Sequence, residues 1–225
     1  MGVDEAPCID APQVHVAFTL AERPLNAIHA PAFSPTSFSP VTFVRVRASE
    51  AALLSEFAIE LFDTTYGPLC RASDVDAYMT QSLSPSAWLR DLTDSKSWVF
   101  AAVANEQWIG YAHVRLAALP DGIASTHVAA VGTTPLEIAR FYVSRKWHGK
   151  GVATEMLSTV LSHAATQGSA SLWLSVWQEN ARAIAFYQKS KFETIGTGKF
   201  LMGEDLQSDF IMERAVAKPP APDAA

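Results

Sequence analysis

The residues best suited to chemistry sit in one short run, His148-Gly149-Lys150-Gly151-Val152-Ala153. Residues 136–143, Leu-Glu-Ile-Ala-Arg-Phe-Tyr-Val, precede it and are rich in β-branched and aromatic types, which suits a buried strand. Val152, Met156, Val160 and Leu161 follow at helical spacing, so the run is a strand-to-helix turn. A glycine there lets backbone N–H groups converge on one point, and the first helical turn adds unpaired donors with a partial positive charge. The result is a cradle for an anion. It is neither the Walker loop Gly-x-x-x-x-Gly-Lys-Ser/Thr nor the dinucleotide pattern Gly-x-Gly-x-x-Gly.

Two more residues could act chemically. Glu137 is a charge near the start of an otherwise apolar strand, where a carboxylate faces solvent, pairs with a cation or does chemistry. Regular alternation puts Arg140 on the opposite strand face, so it is not an obvious partner. Tyr187 follows Phe186 on a predicted helix, where an aromatic pair serves a core as readily as a reaction. Asn180 suits the N-cap of that helix. His15, His29, His113, His127 and His163 show no metal-ligand spacing, and no metal is expected.

The elements that must position these groups can be read in order. Residues 43–47 alternate as a strand, and a helix starts at Ser49 with Leu53, Leu54, Phe57, Ile59, Leu61 and Phe62 on its buried side. Residues 63–71 read as a loop. Ser73 is the expected cap of a second helix to residue 82, with Asp74 and Asp76 in its first turn, and Pro85 opens a third. Residues 98–103 and 107–116 form a hairpin across Asn105-Glu106, and 117–135 are a loop. After the central strand and its helix, which ends near Gly168, come a strand at 170–177, a helix at 180–189 and strands at 192–195 and 208–214. This order describes an α/β (α+β) domain, a mixed sheet flanked by helices with a right-handed βαβ unit at its centre.

Composition bounds the rest. The 225 residues, 49% hydrophobic and 18% charged, are those of a soluble globular protein. Six prolines in residues 1–41 predict an irregular extension with one short ordered piece near 14–20, and 217–225 read as a flexible tail. The working domain is then 42–216. No apolar run approaches the roughly 20 residues a bilayer requires, and the N-terminus lacks a signal-peptide pattern. Cys8 and Cys70 are the only cysteines and suit a reducing, cytoplasmic setting. A formal charge of −6 argues against general nucleic-acid binding; it is compatible with a cationic substrate and equally with ordinary solubility. A homodimer is left open.

The turn resembles the Gln/Arg-x-x-Gly-x-Gly/Ala signature of the GNAT acetyltransferase superfamily, with His148 at the Gln/Arg position, then Gly151 and Ala153. Asn180, Ala183, Phe186 and Tyr187 resemble its second signature, Asn-x-x-Ala-x-x-Phe-Tyr-x-x-x-Gly-Phe, with Lys191 in place of the glycine. The resemblance implies the GNAT fold, a mostly antiparallel sheet with a central parallel βαβ unit, and acetyl-coenzyme A as co-substrate. It implies that the backbone of Phe141, Tyr142 and Val143 pairs with the pantetheine arm. His148, Gly149, Lys150, Gly151, Val152, Ala153 and Thr154 would hold the pyrophosphate, with Asn180 and Lys189 also at the coenzyme. Glu137, eleven residues before His148, would be the base for the amine, and Tyr187 the acid for the leaving thiolate.

A longer match runs through Leu136-Glu137-Ile138, Leu172 to Asn180, Ala183 to Lys189, and Met202-Gly203 with Gln207, Asp209 and Met212. It looks like the PaiA-type spermidine/spermine acetyltransferases. This implies direct transfer to a small amine such as a polyamine, with Glu56, Glu60, Asp63, Asp74 and Asp76 either attracting it or serving as solvated helix faces. An enzyme of the same fold acting on peptide, amino-acid or drug-like amines, or a coenzyme-binding module without turnover, are the rival expectations.

Overall fold

The computed structural model describes residues 40–127 and 134–217. Most of the expected N-terminal extension, including Cys8 and the 14–20 segment, lies outside the described residues, as does nearly all of the tail.

Seven strands form one sheet in the order β1-β2-β3-β4-β5-β7-β6. Strand β1 (Thr42–Arg45) lies on one edge. A 3-10 turn, Ala48–Glu50, leads into helix α1 (Ala51–Tyr66), followed by α2 (Ala72–Ser82) and α3 (Pro85–Thr93). Strands β2 (Ser97–Ala104) and β3 (Gln107–Leu116) form the expected hairpin. Both turn residues, Asn105 and Glu106, have positive φ, as a two-residue turn matched to strand twist requires. Strand β4 (Leu136–Val143) leads through a 3-10 turn, Arg145–Trp147, to α4 (Val152–Thr166). Then follow β5 (Ser171–Trp177), α5 (Ala181–Lys189), β6 (Glu193–Met202) and β7 (Asp205–Ala215).

Several boundaries differ from the sequence expectation. Helix α1 continues to Tyr66 because Phe62, Thr65 and Tyr66 are buried on its inner side, so only the end of the expected 63–71 loop is irregular. Arg71 rather than Ser73 precedes α2. Strands β6 and β7 are longer than their apolar cores and pair as far as Met202 with Asp205, turning at Gly203 with φ +60.

The core lies in two layers. On one face, Ile138, Phe141, Met156, Val160, Leu174 and Tyr187 pack under α4 and α5. On the other, Leu54, Phe62, Tyr66, Trp88, Tyr111 and Tyr142 pack under α1, α2 and α3. The tip of the β6–β7 hairpin folds onto this second layer. Phe200 meets Tyr78 edge-on at 5.9 Å, and the Glu204 N–H donates to Asp74 Oδ1 at 2.9 Å. Asp74 also accepts from Arg71 Nε at 2.7 Å, and a side chain at Gly203 would collide with it. Asp74 is therefore a fastening between α2 and the hairpin. Glu56, Glu60, Asp63 and Asp76 are exposed.

Candidate active site

β4 and β5 are the one parallel pair among the described residues, and their ladder is confined to Leu136 with Leu172 and Glu137 with Trp173. Beyond that point β4 remains paired to β3 through Tyr142 with Tyr111 and Val143 with Gly110, while its other edge has no ladder partner among the described residues. The strands part, and the backbone of Phe141, Tyr142 and Val143 borders the opening. An unpaired strand edge beside a groove invites an extended ligand to complete the ladder.

A β-bulge interrupts β4 at Ala139, between the pairs His113 with Arg140 and Val114 with Ile138. The extra residue inverts the alternation. Leu136, Ile138, Phe141 and Val143 therefore all share the α4 face. Arg140 consequently lies on the same face as Glu137, contrary to the regular-strand expectation. It is still not the partner of Glu137. Its guanidinium bonds His113 Nδ1 at 2.9 Å, Asp91 at 3.3 Å and the Ser82 carbonyl at 3.2 Å, and covers the Trp88 ring at 4.8 Å.

Glu137 is fully buried. Arg115 Nε donates to its Oε2 at 2.8 Å, and its Oε1 has no hydrogen-bond partner among the described residues. Burial pushes its carboxyl up to about 7 against the opposing pull of Arg115. A carboxylate so poised can accept a proton near neutral pH.

The turn after β4 is built on two left-handed glycines, Gly149 with φ +73 and Gly151 with φ +86. Gly151 is the N-cap of α4 and offers no side chain to it. The N–H groups of Val152, Ala153 and Thr154 thus lie in an uncapped first turn, as an anion site requires. They line a groove of about 310 Å³ with Val143, Trp147, His148, Gly149, Arg182, Phe186 and Lys189. His148 does not act on the groove with a free ring: its Nε2 is bonded to the Val143 carbonyl at 2.8 Å. A carbonyl oxygen can only accept, so Nε2–H is the donor, and burial lowers the pKa of the ring. Lys150 places its ammonium 4.9 Å from the centre of the Trp147 ring, itself part of the groove lining.

Arg182 is a groove residue that sequence reasoning missed. It sits one residue into α5, where a first-turn cation opposes the helix dipole, and that unfavourable placement was the available signal. Burial and the neighbouring Arg145 lower its pKa. The residues therefore fit a pyrophosphate.

Asn180 caps α5, its Oδ1 accepting from the Ala183 N–H at 3.1 Å. Tyr187 on that helix is fully buried against Phe141, Phe186 and Phe192. Its hydroxyl has no hydrogen-bond partner among the described residues, and burial holds its pKa well above the ordinary phenol value. It is a neutral phenol at any working pH. Lys191, the departure from the glycine of the second signature, adopts φ +69, the conformation that glycine would take. The helix end is preserved, with Phe192 N–H donating to the Tyr187 carbonyl at 2.9 Å.

Among the described residues no group of His, Cys, Asp and Glu is gathered as a metal site, and no helix is long and apolar enough to cross a membrane.

This splayed sheet, open strand edge and anion-binding turn define an acetyl-coenzyme-A-dependent N-acetyltransferase. The acetyltransferase (GNAT) family model matches residues 58–192, more than half of the sequence, and the chain belongs to that family. An uncharacterised N-acetyltransferase of Mycobacterium bovis is 26% identical over 166 residues, 74% of this chain and 97% of the relative. The PaiA N-acetyltransferase of Thermoplasma acidophilum, solved with coenzyme A, superposes with a TM-score of 0.62 at 19% identity, over 78% of this chain and 99% of that one. NAA60 of Arabidopsis thaliana, solved with acetyl-coenzyme A, gives 0.61 at 13% identity, over 79% and 99%.

Proposed function

We propose that the protein acetylates a small cationic amine, a polyamine or a close analogue, by direct transfer within a ternary complex. The observation that carries this reading is the placement of two complementary groups on opposite faces of one opening. Glu137 belongs to the α1–α3 face beside Arg115, and Tyr187 to the α4–α5 face beneath the groove.

Acetyl-coenzyme A supplies the acetyl group as a thioester. The first turn of α4, with Arg182 and Lys189, would hold its pyrophosphate, and the open edge of β4 its pantetheine arm. A backbone N–H along 141–143 would stabilise the charge that develops on the carbonyl oxygen. Glu137 takes a proton from the acceptor nitrogen, through water, as that nitrogen bonds to the carbonyl carbon. Tyr187 gives a proton to the sulfur as the carbon–sulfur bond breaks. The products are an amide and a free thiol.

The β6–β7 hairpin is fastened to α2 at Asp74, so this side of the acceptor approach is held in place. The exposed Glu56, Glu60, Asp63 and Asp76 suit a cation. The free thiol of Cys70 fits a cytoplasmic setting.

The test is release of coenzyme A from acetyl-coenzyme A by the purified protein with polyamines, amino acids and peptides. Saturable turnover with spermidine or spermine is expected. Turnover with peptides alone would sink the small-amine reading.

A further inference from the structure

Four carboxylates are buried among the described residues: Asp74, Glu137, Asp209 and Glu213. Three have partners suited to a charge. Asp74 has Arg71 and a backbone N–H, and Glu137 has Arg115. Glu213 accepts from the Ser125 hydroxyl and from the Thr126 N–H at 3.2 Å. Asp209 differs. Its Oδ2 accepts from the Ser175 hydroxyl at 2.6 Å, while its Oδ1 has no hydrogen-bond partner among the described residues, at 1% exposure.

A buried carboxylate without a cation is costly and is normally neutralised or removed. Desolvation pushes Asp209 only to about 6, so it carries its charge at neutral pH.

Its surroundings are those of a cation site. Asp209 pairs with Trp177 across β5 and β7. Trp177 lies 6.4 Å from the Tyr66 ring, and the Asp209 charge is felt by the Tyr66 hydroxyl, which also bonds the Asn180 side chain. Tyr142, at the rim of the opening, adds a buried hydroxyl without a hydrogen-bond partner among the described residues. Aromatic faces beside a carboxylate favour an alkylammonium.

The location also fits. Asp209 is on the α1–α3 side of the sheet, on the strand beyond β5. It lies about one strand spacing, ~5 Å, from the edge of the opening, roughly the reach of a three- or four-carbon chain between two nitrogens.

We propose that Asp209 binds a second, non-reacting ammonium of the acceptor and so selects diamines and polyamines over monoamines. The inference rests on the acetyl-transfer reading of the same opening. Tyr66, at the end of α1, is buried beside the Trp177 ring, so entry of the ligand at this point requires its ring to move.

The experiment compares the full-length protein with its Asp209→Asn variant, which keeps the shape and the Ser175 contact. Steady-state rates are measured with 1,4-diaminobutane, spermidine and butylamine, and calorimetry follows binding of the two polycations in the presence of coenzyme A. Expected are a rise in KM for the diamine and spermidine of tenfold or more, little change in kcat, and an unaltered response to butylamine. The KM for acetyl-coenzyme A stays the same and the melting temperature does not fall.

An unchanged KM for the diamine and spermidine, with turnover intact, overturns the proposal and leaves the acetyltransferase reading standing. So does an equal loss for all three amines accompanied by a lowered melting temperature, the mark of a merely structural residue. Absence of diamine and spermidine binding to the unaltered protein also overturns it. Asp209-dependent binding of the diamine without turnover of any amine would instead sink the acetyl-transfer reading and keep the cation site.

Discussion

His148 ties the anion-binding turn to the strand it follows: its Nε2 is 2.8 Å from the carbonyl oxygen of Val143, the last residue of β4. The bond fixes the 3-10 turn and both left-handed glycines against the open edge. A pattern that elsewhere uses Gln or Arg is thus met here by a side chain with one well-placed N–H. Removing a hydrogen bond of this kind costs about 1 kcal/mol. His148→Ala should therefore weaken acetyl-coenzyme A binding roughly fivefold, and His148→Gln should recover most of it. Calorimetric titration of the two variants decides this; equal affinities for Ala and the unaltered protein would remove the tie from the account.

Glu137 predicts a pH profile. Its carboxyl is raised to about 7, so the base form accumulates as pH rises through that value. kcat/KM should climb on the acid side with a midpoint near 7 and level off above it. Glu137→Gln should lose about 10²–10⁴-fold in activity, the usual range for a general base, and should lose that limb of the profile. Retention of the limb in the variant would assign it to another group.

Lys191 stores backbone strain. A non-glycine residue at φ +69 is costly, and the Lys191 side chain is exposed. Lys191→Gly should raise stability by about 0.5–1 kcal/mol, read as a higher urea midpoint with an unchanged slope. A lower midpoint would mean that the lysine side chain contributes more than the strain removes.

Asp209 predicts a stability that depends on pH in a known direction. Its folded pKa, about 6, is above the ordinary 3.8. The folded state then holds the proton more tightly, and stability from this group is present below pH 4 and lost as pH rises through 6. Other groups titrate as well, so the useful quantity is a difference. Asp209→Asn should gain on the unaltered protein by up to about 3 kcal/mol between pH 4 and 7. Parallel melting curves across that range would contradict the uncompensated charge.

Much of this was legible in the residues. The alternation of β2 and β3, the Asn105-Glu106 turn, the glycines of the cradle and the Asn180 cap each rest on local chemistry, and local chemistry survives folding. The misread features are those set by distant partners. Nothing near Ala139 announces a bulge, because its cause is the register with β3, and so Arg140 fell on the wrong face. Gly196 to Lys199 lacks the apolar pattern of a strand and is held as one by β7. Lys189 was legible as a groove cation beside Lys150, while Arg182, which α5 also brings to the groove, was not.

The two-rung parallel ladder has a consequence for how the molecule holds together. It divides the sheet at a seam, with β1 to β4 on one side and β5 to β7 on the other, each side stitched by its own antiparallel ladders. In the chain the division falls within the crossover between Val143 and Ser171, which carries α4. A ligand seated along the free edge of β4 and against α5 bridges both sides, so its binding energy is added to the cohesion of the sheet itself. The co-substrate then behaves as a removable eighth strand, and a protein starved of it is the same fold with its central seam unstitched.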